Sequence, residues 1–302
     1  MSDKYENCRL CPRECGVNRL AGEKGMCGCD SKLYAAKAAL HMWEEPCISG
    51  ETGSGAVFFS GCNLRCVFCQ NHNISNMSVA KEISVERLCE IFFELKDKGA
   101  VNINLVTPSH YIPHIATAVE YCKDRGFDLP IVYNCGGYES VEALKLLDGL
   151  VDVYLPDFKY MDSELAAKYS KAADYPEMAK YAVEEMYRQV GKPVFDENGL
   201  MKKGIIARHL VLPGCEKDSE KVIKYLYDTY GDNIYISIMS QYTPLAKFVE
   251  EGRYPELCKK IDREVYDRLI DYALDMGVEN AFIQEDDVAE ESFIPLFDFE
   301  GL

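Results

Sequence analysis

The sequence predicts an α/β protein whose parallel strands curl into a partial barrel, and three observations carry that expectation. From Ala56 onward, short β-rich apolar runs alternate with amphipathic helical runs, the pattern of strand–helix units that stack into a parallel sheet. The helical runs end at stop signals, with Gly99, Gly126, Gly149, Gly231 and Gly277 each following one. Polar residues then gather where the strands end: Gly61-Cys62, Thr107 to His110, Asn134 to Gly137, Asp157 to Lys159 and Ser240 to Tyr242. Ligands bind at the carboxyl ends of strands in barrels and open sheets alike. Polar groups at successive strand ends fit a ring better than a single crevice.

Taken in order, the strands are Ala56–Ser60, Val101–Val106, Ile131–Tyr133, Val151–Leu155, Ile205–Leu212 and Ile234–Met239, with Ala281–Ile283 as a last candidate. The helices are Ser84–Lys98, with Ser84 as its N-cap, then Ile112–Arg125, Val141–Leu147, Ser219–Tyr230 and Pro255–Met276. Residues 163–203 interrupt the rhythm with a Tyr- and Lys-rich helical stretch followed by Asn198-Gly199. That dipeptide is a type I′ hairpin signal, so a short hairpin is expected to feed the strand at Ile205. Residues 1–50 are Cys-rich and carry little period. The division expected is therefore a Cys-rich segment, 1–50, packed on a barrel, 51–302, with an insertion at about 163–203.

The chain has 302 residues, of which 33 are Lys or Arg and 50 are Asp or Glu, for a net charge of −17. Tracking a nucleic-acid backbone needs a net basic face, so nucleic acid is not an expected partner. The densest acidic stretch, Glu285 to Glu291, reads as a solvated face. No run approaches the roughly 18 apolar residues of a membrane span, and the first residues lack a signal-peptide core. A cytoplasmic protein without membrane attachment is expected. Fourteen cysteines in that setting point to metal or redox chemistry rather than disulfides.

Their placement is specific. Cys62, Cys66 and Cys69 fall within eight residues after a strand, a spacing that can wrap three corners of an iron–sulfur cube. Gln70 and Asn71 follow where a ferredoxin would supply a fourth thiolate, so one iron is left open. A zinc site would need two further ligands downstream, and no matching pair follows. The second set is Cys8, Cys11, Cys15 and Cys27, in a segment too poor in apolar residues to fold alone. It suits a structural zinc ion, an auxiliary iron–sulfur cluster or thiols held by packing, and Cys29 is an alternative to Cys27. Cys89, Cys122 and Cys258 read as small core hydrophobes. Cys135 and Cys215 follow strand ends, as do His110 and His209, while His41, His72 and His114 read as structural.

The Cys62-x3-Cys66-x2-Cys69 spacing, with Phe68 before the third Cys, resembles the signature of the radical S-adenosylmethionine (SAM) superfamily. The likeness runs over nearly the whole chain. It is nearest to pyruvate formate-lyase activating enzyme-like proteins, particularly the PflX-type branch with an N-terminal Cys-rich segment. Cys8 to Cys15, Asn104 to Tyr111, Val132 to Tyr138, Leu155 to Tyr160, Arg208 to Gly214 and Met239 to Pro244 carry it. The resemblance implies a partial (β/α)6 barrel with SAM across its top. It also implies a 4Fe–4S cluster on Cys62, Cys66 and Cys69 whose open iron chelates SAM. Reductive cleavage of SAM would then yield a 5′-deoxyadenosyl radical that abstracts hydrogen from a substrate.

By the same resemblance Phe68 lies against adenine, Asp157 and Lys159 form a pair at the SAM site, and Arg208 helps to hold the SAM carboxylate. Asn71 and Gln241 belong to the expected cofactor-binding set. A one-electron donor such as flavodoxin or ferredoxin is the implied partner, with a glycyl radical enzyme as a candidate substrate. Two positions depart from the family's pattern. Thr107-Pro108-Ser109-His110 stands where activases have a Gly-Gly-Glu stretch that receives the SAM ammonium, and Asn134 stands where they have a cation-binding Asp. Thr107, Ser109, His110 and Asn134 are accordingly the expected replacements. Both departures weigh against glycyl-radical activation and leave radical chemistry on a small molecule or peptide as the alternative. A non-enzymatic metal-binding module would not explain the polar strand ends. Substrate entry is expected at a mouth lined by Ser109, His110, Cys135, His209 and Tyr242.

Overall fold

The computed structural model describes residues 3–284 and 295–302, so the acidic stretch from Glu285 to Glu291 lies outside the described residues. After a turn of helix α1 (Asp3–Glu6) come β1 (Leu33–His41), α2 (Pro46–Ser49) and β2 (Ser54–Phe59). Next are α3 (His72–Ser75), β3 (Lys81–Ile83), α4 (Val85–Asp97), β4 (Ile103–Val106), α5 (Ile112–Lys123), β5 (Ile131–Cys135), α6 (Val141–Leu144) and β6 (Val153–Pro156). Then follow α7 (Ser163–Ser170), α8 (Tyr175–Val190), β7 (Val194–Phe195), β8 (Met201–Leu210) and α9 (Glu216–Tyr230). The chain finishes with β9 (Tyr235–Met239), α10 (Ala246–Glu251), α11 (Arg263–Asp275) and β10 (Ala281–Ile283).

The strands form one sheet in the order β10-β9-β8-β6-β5-β4-β2-β1-β3. From β2 to β10 neighbours run parallel and follow chain order, and the sheet has ends at β10 and β3, so it is barrel-like and partial. Period-two alternation divides each strand between two layers. Val57, Phe59, Ile103, Leu105, Tyr133, Ile205, Ala207, Ile236 and Ile238 join the helices in the main core. Val132, Val153, Leu155 and Ile206 face the other way and meet Cys47 and Ile48 of α2, which plugs the interior. Residues 297–300 lie along β1, where Ala38 N donates to Glu300 O at 2.8 Å and Phe297 packs on Phe58.

Several expectations change. The first 50 residues contribute β1, a full strand antiparallel to β2. Its sequence hides it, because Ala35, Ala36, Ala38 and Ala39 have low strand propensity and a register shift between Ala35 and Lys37 breaks the alternation. Pro255–Met276 is two elements: a 3-10 turn at Pro255–Cys258, then α11 started by Asp262, whose carboxylate accepts from Glu264 N. The hairpin forms between β7 and β8, but of Asn198 and Gly199 only Gly199 has positive φ, at 75°. A type I′ turn needs it at both; here Asp196 organises the turn by accepting from Asn198 N and Leu200 N. Cys89 and Cys122, rather than remaining free, are joined in a disulfide between α4 and α5.

Candidate active site

The loop after β2 carries Cys62, Cys66 and Cys69, and all three line one cavity of about 170 Å³. Gly61 makes the loop's first turn at φ 93°, and a Cβ there would lie 2.3 Å from Cys29 Sγ, so no other residue fits. The N-terminal segment holds the loop from outside. Cys62 N donates to Cys27 O, Arg13 Nε to Asn63 O at 2.8 Å, and Arg65 Nε to Met26 O at 3.0 Å. Ser170 Oγ donates to Cys66 Sγ at 2.9 Å. Burial pushes the Cys69 thiol up to about 12 and raises that of Cys66, which Lys159 pulls back down.

Among the described residues no three Cys, His, Asp or Glu side chains converge as ligands of a single ion. A four-iron cube is wider than an ion, and its thiolates ring a cavity rather than meet at a point. Cys62, Cys66 and Cys69 have that disposition. Cys135 stands at the cavity's edge, but its thiol is buried beside Glu139 on the outer side of β5. The donor set fits a 4Fe–4S cluster held at three corners.

Beside the thiols lies a second cavity of about 240 Å³, and Cys66, Cys69, Asn71, Asp157, Lys159 and Arg208 line both. Its charged wall is a connected network. Asp157 accepts from Arg208 Nε at 3.1 Å and pairs with Lys159. Arg208 Nη2 donates to Asn134 Oδ1 at 2.6 Å and Nη1 to Glu44 Oε2 at 3.0 Å. Glu44 Oε1 in turn accepts from Asn104 Nδ2 and Asn134 Nδ2, at 2.9 and 3.2 Å. Burial alone would raise the Asp157 carboxyl; Lys159 and Arg208 outweigh it and hold the group below the ordinary carboxylate range. Two cations and two carboxylates make the cluster neutral, which suits a buried site.

Of the residues expected at a cofactor, Phe68, Asn71, Asp157, Lys159, Arg208 and Gln241 line the larger cavity, while Thr107 and Asn134 line the smaller. Thr107 sits at φ 60°, a costly conformation for a β-branched residue that recurs at functional sites. Ser109 and His110 line neither cavity. Ser109 Oγ donates to Glu139 Oε1 at 2.6 Å, and His110 Nε2 donates to Ser60 O at 2.8 Å. The expected mouth is corrected further by His209, which follows inward Arg208 and so points out into the helix layer. There Nδ1 donates to Phe158 O and Nε2 accepts from Ser219 Oγ, each at 2.8 Å. Of the five mouth residues, Tyr242 lines the larger cavity and Cys135 the edge of the smaller.

Of the N-terminal thiols, Cys8 and Cys27 lie near enough to Cys11 to act on it electrostatically. Cys8 and Cys27 are buried, Cys11 is half-buried and Cys15 is exposed, where it accepts from Met26 N. Cys29 is wedged under Gly61 and accepts from Tyr111 Oη at 3.2 Å. Sequence reasoning missed Glu44 and Asn104. Glu44 lies in an aperiodic stretch before Pro46, and its role depends on reach across the barrel, which no local pattern encodes.

The chain is similar to several known proteins. The family model of the radical SAM superfamily matches residues 56–203. The uncharacterized protein MJ0674 of Methanocaldococcus jannaschii is 30% identical over 279 residues, covering 89% of this chain and 75% of that protein. The pyruvate formate-lyase-activating enzyme of Clostridium pasteurianum is 31% identical over 120 residues, covering 36% of this chain and 46% of that one. Among solved structures, Streptococcus suis SuiB bound to S-adenosylmethionine is 15% identical with a TM-score of 0.49 over 74% of this chain. The chain spans about half of SuiB's length, 48%. No helix among the described residues is long and apolar enough to cross a membrane. With the superfamily's model matched over residues 56–203, three thiols around one cavity and a charged wall beside them, the protein belongs to the radical SAM superfamily and is an enzyme of that class.

Proposed function

We propose that the enzyme cleaves SAM reductively and abstracts hydrogen from a small molecule or a short peptide, with Cys62, Cys66 and Cys69 holding the cluster. The observation that carries this reading is the pair of adjoining cavities whose common wall joins cluster-loop thiols to Asp157, Lys159 and Arg208. When bound, the cluster supplies one electron to SAM, whose sulfonium–carbon bond then breaks. The chain's own residues bind and orient. Arg208 has five N–H donors, at least three of them committed to Asp157, Glu44 and Asn134. An N–H left over on Nη1 meets the SAM carboxylate from a guanidinium of fixed direction. Asn71, Gln241 and the Thr107 hydroxyl supply neutral polar contacts, and Phe68 stands edge-on to Tyr169 and Tyr242 as an apolar wall for adenine.

A folded partner's glycyl loop is disfavoured as substrate. Activases of this family receive the SAM ammonium on a carboxylate, and here Ser109 and His110 stand in that stretch with their hydrogen bonds spent elsewhere. The N-terminal thiols are read as a separate stabilising element, with zinc or a second iron–sulfur cluster as its metal. The test is anaerobic. Iron-reconstituted protein should produce 5′-deoxyadenosine from SAM and dithionite, and Cys69→Ala should produce none. Deuterium from a labelled substrate pool of small metabolites or peptides should appear in the product. Undiminished 5′-deoxyadenosine from Cys69→Ala would end the proposal.

A further inference from the structure

Arg208 is the charged group of the SAM wall with most partners, and one of them comes from outside the strand–helix repeat. Glu44 leaves the N-terminal segment just before the α2 plug and enters the barrel from beneath. Its carboxylate, 9% exposed, accepts from Arg208 Nη1 on β8, Asn104 on β4 and Asn134 on β5. Asn134 also accepts from Arg208, so Glu44, Asn134 and Arg208 form a closed triangle of hydrogen bonds. Asp157 restrains the guanidinium from one edge only, and the two edges together fix its plane.

We infer that Glu44 is a positioning residue of the SAM site: it sets the plane of Arg208 and the amide orientation of Asn134. This rests on the reading of the adjoining cavities as the SAM site. Glu44 lines neither cavity, so it acts through Arg208 and Asn134 and touches no ligand. Its charge also matters. Without it, the wall gains one net positive charge beside a ligand that bears a sulfonium and an ammonium, with Asp157 and, less strongly, Glu45 left as the carboxylates that act on Arg208. A charge-assisted bond fixes direction more tightly than a neutral one, and a loosened guanidinium costs binding before it costs chemistry.

The test compares wild type with Glu44→Gln and Glu44→Asp, all iron-reconstituted. SAM affinity is read by equilibrium dialysis and by the change that SAM makes in the reduced cluster's EPR spectrum. Glu44→Gln keeps the size and an acceptor for the two Asn side chains but turns an amide towards Arg208. It should raise the SAM dissociation constant roughly tenfold, the worth of one hydrogen bond to a charged group. The KM for SAM should rise in parallel, with kcat for 5′-deoxyadenosine formation within about threefold of wild type. Glu44→Asp, which restores the charge, should recover part of the affinity. Ile48→Val, in the same plug without contact to Arg208, should lower the melting temperature and leave SAM affinity unchanged. Unchanged affinity in Glu44→Gln, or an equal loss in Ile48→Val, overturns the inference while the SAM reading stands. Failure of wild type to bind SAM overturns the reading itself, and the inference with it.

Discussion

Arg208 and His209 are consecutive on β8, both enclosed by the protein, and have nothing chemical in common. The guanidinium faces the barrel interior, where Asp157, Asn134 and Glu44 surround it. The imidazole faces the helix layer and ties Phe158 O to Ser219 of α9. The same contrast recurs on β5, where Asn134 belongs to the charged network and Cys135 to the outer core beside Glu139. A polar residue at the end of a strand is therefore half a description. Parity along the strand decides whether it serves the cavity or the packing, because successive side chains leave opposite faces.

The largest effect that would break this contrast is at Arg208. Replacing it with Ala leaves Asp157 paired with Lys159 and leaves Glu44 buried with Asn104 and Asn134 but without a paired cation. Stability should fall by roughly 3–5 kcal/mol, as for a broken buried pair, and SAM affinity should fall by at least about a hundredfold. Arg208→Lys should recover charge but not affinity, since one ammonium cannot span three acceptors in a plane. Calorimetric melting and SAM binding by dialysis check both. A full-affinity Arg208→Lys would mean that net charge alone matters at this wall.

His209 should behave in the opposite way. Burial pushes its pKa down to about 4, and its neutral form is fully bonded, since the Phe158 carbonyl can only accept and so fixes the proton on Nδ1. The unfolded imidazole takes up its proton near pH 6.5. Stability that is intact above that value should therefore drain as the pH falls towards 4, by about 3 kcal/mol in total. His209→Gln should flatten that limb of the melting-temperature profile while leaving SAM affinity unchanged. An affinity loss would place His209 at the ligand and break the parity argument. His114, also lowered to about 4 by burial, shares the window, so the profile flattens only in part.

The same rule explains what the sequence disclosed. Each apolar run from Ala56 to Ile283 coincides with a strand of the sheet, because parallel strands buried on both faces read as short continuous apolar runs. The cluster loop was legible because its three thiols lie within eight residues. Parity in register was less accessible, since it depends on where the strand begins relative to its neighbours. Hence Ser109, His110 and His209 stand at strand ends beside Thr107 and Arg208 and yet do not share their cavities. β1 and Glu44 were hidden for a different reason: an Ala-rich strand with a bulge has no period, and a carboxylate that reaches across a barrel has no local partner to announce it.

Ser109 offers the smallest effect and the sharpest check on the outer layer. Its hydroxyl donates to Glu139, which also accepts from Tyr133 Oη at 3.0 Å, and Tyr133 is the outward neighbour of inward Asn134. Burial raises the Glu139 carboxyl, and these two hydrogen bonds draw it part of the way back. A raised carboxyl costs stability as the pH climbs through its range, and Ser109 lessens that cost by bonding the ionised form. Ser109→Ala should thus be less stable by about 1–2 kcal/mol at neutral pH, a deficit that shrinks in acid once Glu139 is protonated in both proteins. SAM affinity should not change, because the lost bond lies behind the strand. A drop in affinity without the pH-dependent deficit would bring Ser109 back to the ligand and show that the turn after β4 presents Ser109 as well as Thr107 to the cavity.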